Sequence, residues 1–115
     1  RLARMILAIV DDLIFRGKLE AAAAQLGVQL TIATDANQAL RNGQPWSRVL
    51  IDLNFSHGDA LAIVRDLRAA YPGIPVIGYC LHVQQELQQR ALEAGCTTVL
   101  PRSAFVQQLP ELLNA

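Results

Sequence analysis

The amino-acid sequence predicts a small doubly wound α/β domain, a parallel sheet with helices on both faces. Two observations lead to this prediction. Short apolar, partly β-branched runs of strand length alternate with stretches whose apolar residues recur at helical spacing. The 115 residues are 52% hydrophobic and 17% charged, the composition of one compact domain with one core. We therefore expect a single domain over residues 1–115, with its core between about residues 5 and 113.

Five strands and five helices are predicted in strict alternation, without an internal repeat or a linker. The predicted strands are Arg4–Val10, Gln29–Ala33, Val49–Ile51, Pro75–Tyr79 and Thr97–Leu100. The predicted helices are Leu13–Leu26, Ala36–Asn42 (ended by Gly43), Ala60–Ala70, Val83–Ala94 and a last helix capped by Ser103. Asp59 is expected to cap the third helix. Pro110 interrupts the last helical pattern, so we expect a kink or a restart there.

The composition disfavours several classes of function. Ten basic and ten acidic residues give a net charge of zero, which provides no electrostatic basis for binding nucleic acid or coating a membrane. The apolar runs are far shorter than the roughly 20 residues of a membrane span, and Arg1–Arg4 does not resemble a signal peptide. Cys80 and Cys96 lack metal-site spacing, so we expect reduced thiols in a cytoplasmic protein, with a single disulfide as the alternative.

Three acidic residues stand where apolar strands are predicted to end. Asp11 and Asp12 follow the first strand, and Asp52 follows the third. The carboxyl ends of parallel strands meet at one edge of a sheet, where open α/β proteins bind their ligands. Three carboxylates there would repel one another unless a cation lay among them, so the sequence predicts an acidic metal pocket centred on Asp52. The alternatives are a solvated strand-end acid or cap for Asp52, and N-capping of the first helix by Asp12.

Four segments carry a resemblance to a known family. The chain resembles a bacterial response-regulator receiver domain over about residues 5–113, with matching order and spacing in five βα units. The matching segments are Ile9-Val10-Asp11-Asp12, Leu50-Ile51-Asp52-Leu53-Asn54, Pro75-Val76-Ile77 and Ala91-Leu92-Glu93-Ala94-Gly95. The resemblance implies the flavodoxin-like strand order 2-1-3-4-5.

The resemblance also implies a chemistry and a set of site residues. Asp52 would be the phosphoacceptor, taking a phosphoryl group from the phosphohistidine of a sensor histidine kinase or phosphotransfer protein. Mg²⁺ would neutralise charge, bound by Asp11, Asp12, Asp52 and the backbone carbonyl of Asn54, with Asp11 direct or through water. The domain would then be a signalling module whose chemistry is limited to phosphorylation and dephosphorylation of Asp52.

The residues that would contact the phosphoryl group, at the ends of the fourth and fifth predicted strands, depart from the family pattern. Cys80 stands where the family carries Thr or Ser, and a thiol is a weak hydrogen-bond donor. Arg102 stands in place of the family's lysine and Ser103 in place of the following proline. Pro101 changes the backbone approach to Arg102. Val99 takes the place of the aromatic switch residue, so the switching half of the site is altered.

The loop after Asp52 departs as well. Ser56 takes the place of the family's proline, and Ala60 takes the place of the expected glycine. His57 and His82 show neither metal-ligand nor triad spacing, and His57 is predicted to be a surface loop residue. The metal-binding half of the site, formed by the acids, is nevertheless intact.

Three functions remain open at this point. The first is a phosphorylatable receiver that alters a protein–protein surface or a homodimer contact through the face of the fourth helix, fifth strand and fifth helix. That face is expected to comprise Leu87, Arg90, Val99, Phe105 and Gln108. The second is a pseudo-receiver, a constitutive interaction or dimerisation domain without a working phosphoswitch. The third is a small Mg²⁺-dependent phosphatase or phosphotransferase. The resemblance also leaves open a missing C-terminal effector domain.

Overall fold

Strands and helices alternate along the computed structural model, which describes residues 5–41, 45–81 and 84–114. The strands are β1 (Met5–Ile9), β2 (Gln29–Ala33), β3 (Arg48–Asp52), β4 (Val76–Cys80) and β5 (Thr98–Pro101). The helices are α1 (Leu13–Leu26), α2 (Ala36–Arg41), α3 (Ala60–Ala70), α4 (Gln85–Ala94), α5 (Arg102–Gln107) and α6 (Leu109–Leu113).

All five strands pair in parallel in the order β2-β1-β3-β4-β5, which confirms the predicted topology. β1, β3 and β4 lie inside the sheet and are apolar along almost their whole length, because helices cover both of their faces. The register aligns Ile9 with Ile51 and Asp52 with Tyr79, so the central strands end close together.

Alternate side chains of each strand point to opposite faces and form two apolar layers. Leu7, Ile9 and Ile51 pack on one face with Val64 and Leu67 of α3. The opposite face buries a different set of strand residues against α1, α5 and α6. Its fully buried members include Ile6, Leu50, Phe15, Leu19, Phe105 and Leu113. The positions of α1 that reach this layer are four residues apart, as the helical pattern predicts.

The end of the chain differs from the prediction of one capped helix, so the described residues contain six helices rather than five. α5 stops at Gln107 and α6 begins at Leu109, with Pro110 in its first turn. Proline has no N–H and its ring clashes with the carbonyl four residues earlier, so a continuous helix is disfavoured and the predicted restart is confirmed. The predicted cap at Ser103 is wrong, because α5 begins at Arg102 with Pro101 in the N-cap position.

The structure also bears on the predicted cap of α3, on the two cysteines and on membrane spans. Asp59 does cap α3, because its Oδ1 accepts from the N–H of Ala62 at 3.2 Å. Cys80 and Cys96 are both buried and form no disulfide with each other, and burial raises the pKa of the Cys96 thiol to about 11. Within the described ranges, no helix has the length and apolar character needed to cross a bilayer. Predicted features at Arg1–Arg4, Asn42, Gly43, His82 and Val83 lie outside the described residues.

Candidate functional site

The candidate site residues lie at the edge of the sheet where the parallel strands have their carboxyl ends. Asp11 and Asp12 follow β1, and Asp52 is the last residue of the neighbouring strand β3. Cys80 is the last residue of β4, and Arg102 follows β5. The fold therefore gathers the predicted residues around one acidic pocket, which we define as Asp11, Asp12 and Asp52.

Asp12 caps α1 and at the same time pairs with a cation. Its Oδ1 accepts hydrogen bonds from the backbone N–H groups of Ile14 at 2.9 Å and Phe15 at 3.2 Å. Its Oδ2 accepts from Nη2 of Arg102 at 3.1 Å. The hydrogen bond from Phe15 and the contact with Arg102 lower the pKa of Asp12, because both favour the charged carboxylate. The capping alternative for Asp12 is thus present in the structure.

Asp11 is held by the loop that follows β3. One of its oxygens, Oδ2, accepts from the backbone N–H of Ser56 at 3.0 Å and from the Ser56 hydroxyl at 2.5 Å. Nδ1 of His57 lies 2.8 Å from the same oxygen and must carry the hydrogen, since a carboxylate oxygen only accepts. Partial burial acts to raise the pKa of Asp11, but these hydrogen bonds outweigh it and the pKa is lowered.

Asp52 has the least compensated charge of the three acids. Its Oδ1 accepts from the backbone N–H of Asn54 at 2.8 Å. Burial raises the pKa of Asp52, and the negative charges of Asp11 and Asp12 raise it further, against the opposing effects of the Asn54 hydrogen bond and Arg102. The charged form of Asp52 is therefore disfavoured, and a cation bound beside this carboxylate would relieve the repulsion.

The side chain of Asn54 ties two loops of the pocket together. Its Oδ1 accepts from the backbone N–H of Leu81, just after β4, at 3.1 Å. Its amide nitrogen donates to Oε1 of Gln84, ahead of α4, at 3.4 Å. The resemblance assigns only the backbone carbonyl of Asn54 a role, so this side-chain bridge was not predicted. The only hint in the sequence was an amide side chain two residues after Asp52, close enough to the pocket to bond a neighbouring loop.

Arg102 lies against an aromatic cluster as well as against Asp12. Its guanidinium carbon is 4.5 Å from the ring centroid of Phe15, an arrangement typical of a cation–π contact. Phe15 packs against Tyr79, with ring centroids 4.9 Å apart, and against Phe105 at 5.8 Å. Tyr79 and Phe105 complete the cluster at 4.4 Å. The position of Arg102 is therefore fixed by packing against the ring of Phe15 and by the ion pair with Asp12.

The two residues that the family resemblance aligns with switch residues, Cys80 and Val99, are buried. Cys80 is 2% exposed and Val99 is 8% exposed, so neither presents a polar group at the surface of the pocket. The side chain of Asn54 accepts from the backbone N–H of Leu81, next to Cys80, which links the loop after β3 to the end of β4 without a hydroxyl at position 80.

The expected interaction face is partly wrong. Phe105 is fully buried and Val99 is nearly so, because both side chains point into the two apolar layers. Leu87 is half-buried, whereas Arg90 and Gln108 are exposed. A partner at this side of the domain would therefore meet a more polar surface than the sequence predicted.

The structure also defines the surroundings of His57 and of three serines, Ser47, Ser56 and Ser103. The ring of His57 is 66% exposed, as expected of a surface loop residue, but its contact with Asp11 was not foreseen. Ser47 lies at the opposite edge of the sheet, where its hydroxyl accepts from the N–H of Met5 at 3.4 Å. Ser56 contacts Asp11, and Ser103 is exposed on α5.

The chemistry of the pocket suits a hard divalent cation, although its present arrangement is not a preformed metal site. Across residues 5–41, 45–81 and 84–114, no three acidic, histidine or cysteine side chains are grouped so that they could hold a metal ion. Carboxylate oxygens are the ligands that Mg²⁺ prefers. Burial raises the pKa of Asp52, and the neighbouring charges of Asp11 and Asp12 raise it further, so a cation there would stabilise the charged carboxylate. The residues therefore fit Mg²⁺ if Asp11 and Asp12 change partners.

Comparisons with known proteins give relatives of low sequence identity and close structural similarity. No family model matches the chain. The chain is 27% identical over 90 residues to the sensor protein TorS of Escherichia coli strain K12. That match covers 76% of this chain and 10% of TorS, so the chain spans about a tenth of the length of this curated relative.

Two solved structures show the similarity of fold. One is a response regulator from Burkholderia pseudomallei with a phosphorylated aspartic acid, a calcium ion and citrate. It has a TM-score of 0.84 and 19% identity, over 96% of this chain and 66% of that one. The other is the receiver domain of a sensor histidine kinase from Pseudomonas aeruginosa with magnesium in its active-site cleft. It has a TM-score of 0.79 and 23% identity, over 99% of this chain and 100% of that one.

Proposed function

The chain has the fold of response-regulator receiver domains, and we propose that it is a phosphoryl-accepting receiver with Asp52 as the acceptor. One observation supports this proposal above the others. Asp52 ends a central strand near Asp11 and Asp12, and its pKa is raised by burial and by the charges of these two acids. Perturbed carboxylates of this kind are typical of functional sites.

The proposed reaction is transfer of a phosphoryl group from a phosphohistidine. A carboxylate oxygen of Asp52 forms a bond to phosphorus while the bond between phosphorus and the histidine nitrogen breaks, and the departing imidazole takes up a proton. Asp11, Asp12, Asp52 and the Asn54 carbonyl would hold Mg²⁺, which when bound supplies neutralisation of the charge on the phosphoryl oxygens. Arg102, beside the pocket, provides a second positive charge for those oxygens.

A second candidate, the pseudo-receiver, rests on a different observation. Asp11 and Asp12 already accept hydrogen bonds from protein donors, and the switch positions hold a buried thiol and a buried valine. A domain of this kind would present the same surface whether or not phosphate is offered. Its partners would be a second copy or another protein at the exposed side of α4, β5 and α5, near Arg90 and Gln108.

Backbone amide shifts test the proposed function. Addition of Mg²⁺ and then acetyl phosphate is expected to shift the amide signals of residues 11–13 and 52–57, because these segments line the acidic pocket. The fluorescence of Trp46 is the negative control and should not change. Trp46 precedes β3 and lies at the opposite end of that strand from Asp52. If neither ligand shifts the pocket amides, the phosphoacceptor proposal fails.

A further inference from the structure

We propose that Ser56, His57 and Arg102 form an internal latch on Asp11 and Asp12, and that Mg²⁺ binds by displacing it. This inference rests on the proposed function, because it concerns how the same acidic pocket takes its metal. The latch consists of donors from two separate segments, the loop after β3 and the start of α5, each engaging one of the two acids.

The half of the latch at Asp11 saturates one carboxylate oxygen. Three donors converge on Oδ2: the Ser56 N–H at 3.0 Å, the Ser56 hydroxyl at 2.5 Å and the ring of His57 at 2.8 Å. A carboxylate oxygen has about two lone pairs for acceptance, so none is left for a cation at that atom. Coordination through Oδ2 of Asp11 therefore requires the loop to withdraw.

Two of these three donors exist because of a departure from the family pattern. Ser56 stands where the resembled family carries proline, which has neither a backbone N–H nor a hydroxyl. The substitution thus adds both contacts at once. The consequence is a loop bound to Asp11 in a way that the family sequence does not permit.

The half of the latch at Asp12 also depends on a residue that differs from the family pattern. Arg102 replaces the family's lysine, and its planar guanidinium both contacts Oδ2 of Asp12 at 3.1 Å and lies 4.5 Å from the Phe15 ring centroid. A lysine ammonium is a more strongly hydrated point charge without this planar face. Arg102 is therefore better held over Phe15, and a cation must compete with it for Asp12.

Mg²⁺ affinity in latch variants tests the inference, measured by isothermal titration calorimetry. Ser56→Ala removes one neutral donor and is expected to tighten Mg²⁺ binding about threefold, and Arg102→Ala about tenfold, in line with the strength of hydrogen bonds to charged groups. Since the two contacts engage different acids, the double variant should approach the product of the two effects. Ser103→Ala and Arg65→Ala are matched controls at exposed positions and should bind Mg²⁺ as the wild type does.

The variants also separate a latch from a simple change in charge. Ser56→Ala leaves the charge unchanged, so tighter binding by this variant reports the contact itself. Arg102→Lys keeps the positive charge and is expected to bind Mg²⁺ more tightly than the wild type, because it loses the planar contact with Phe15. Equal Mg²⁺ affinity in the wild type, Ser56→Ala and Arg102→Lys would overturn the latch while leaving the proposed function standing. Absence of Mg²⁺ binding in every variant would overturn both.

Discussion

Replacing Asp52 with asparagine is expected to stabilise the metal-free protein at neutral pH by on the order of 1 kcal/mol. The raised pKa of Asp52 means that its charge is unfavourable in the folded state, because of burial and the neighbouring Asp11 and Asp12. Asparagine removes this charge, and its side-chain oxygen can still accept from the Asn54 N–H. Thermal or urea unfolding in the presence of a chelator measures the difference. Asp66→Asn, an exposed change on α3, is the matched control.

The stabilisation should depend on pH in a defined direction. A carboxyl group whose pKa is raised on folding contributes stability that is fully present below its unfolded pKa, near 3.8, and is lost as pH rises through its folded pKa. The wild type and Asp52→Asn should therefore converge at low pH and diverge as pH rises above that range. Lower stability of Asp52→Asn at pH 7 would show that the carboxylate is stabilised by its surroundings, contrary to this account.

Replacing Phe105 with alanine is expected to lower the free energy of unfolding by about 3–5 kcal/mol, a large share of the roughly 5–15 kcal/mol typical of a domain. Phe105 is fully buried and contacts Tyr79 and Phe15 at centroid distances of 4.4 and 5.8 Å. The lower free energy of unfolding has two causes, the loss of buried apolar surface and the cavity left in this layer. Chemical denaturation of the purified variant measures it.

Val106→Ala is the control for Phe105→Ala, because Val106 lies on the same helix and is 37% exposed. Its effect on the free energy of unfolding should stay within about 0.5 kcal/mol. Similar losses for the two variants would mean that α5 does not present Phe105 to the core. Because α5 begins with Arg102, the Phe105 variant should also weaken the contact between Arg102 and Asp12.

The strand order was implied by the family resemblance, whereas the location of the acidic pocket could be predicted from the apolar runs of the sequence itself. Hydrophobic runs that end in Asp11, Asp12 and Asp52 fix where those side chains emerge, since parallel strands share a carboxyl edge. Pro110 correctly predicted that the last helix is divided in two. The predicted cap at Ser103 was wrong, because α5 begins at Arg102.

The partners of the acids could not be predicted in the same way. The contacts of Asp11 with Ser56 and His57 join segments about 45 residues apart, and they depend on loop conformation rather than on periodicity. The error at Phe105 has a similar origin. Phe105 and Leu109 are apolar residues of two successive helices that pack in the same layer against the sheet, so Phe105 lies in the core rather than on the interaction face.

Phosphoryl incorporation at Asp52 is the most direct measurement of the central claim. The wild-type protein, Asp52→Asn and Asp66→Asn are incubated with Mg²⁺ and phosphoramidate, a small phosphohistidine-like donor, and analysed by intact-mass spectrometry. The account predicts one phosphoryl group on the wild type and on Asp66→Asn, removable by hydroxylamine as an acyl phosphate, and none on Asp52→Asn. An unmodified wild type, or equal modification of Asp52→Asn, would contradict it.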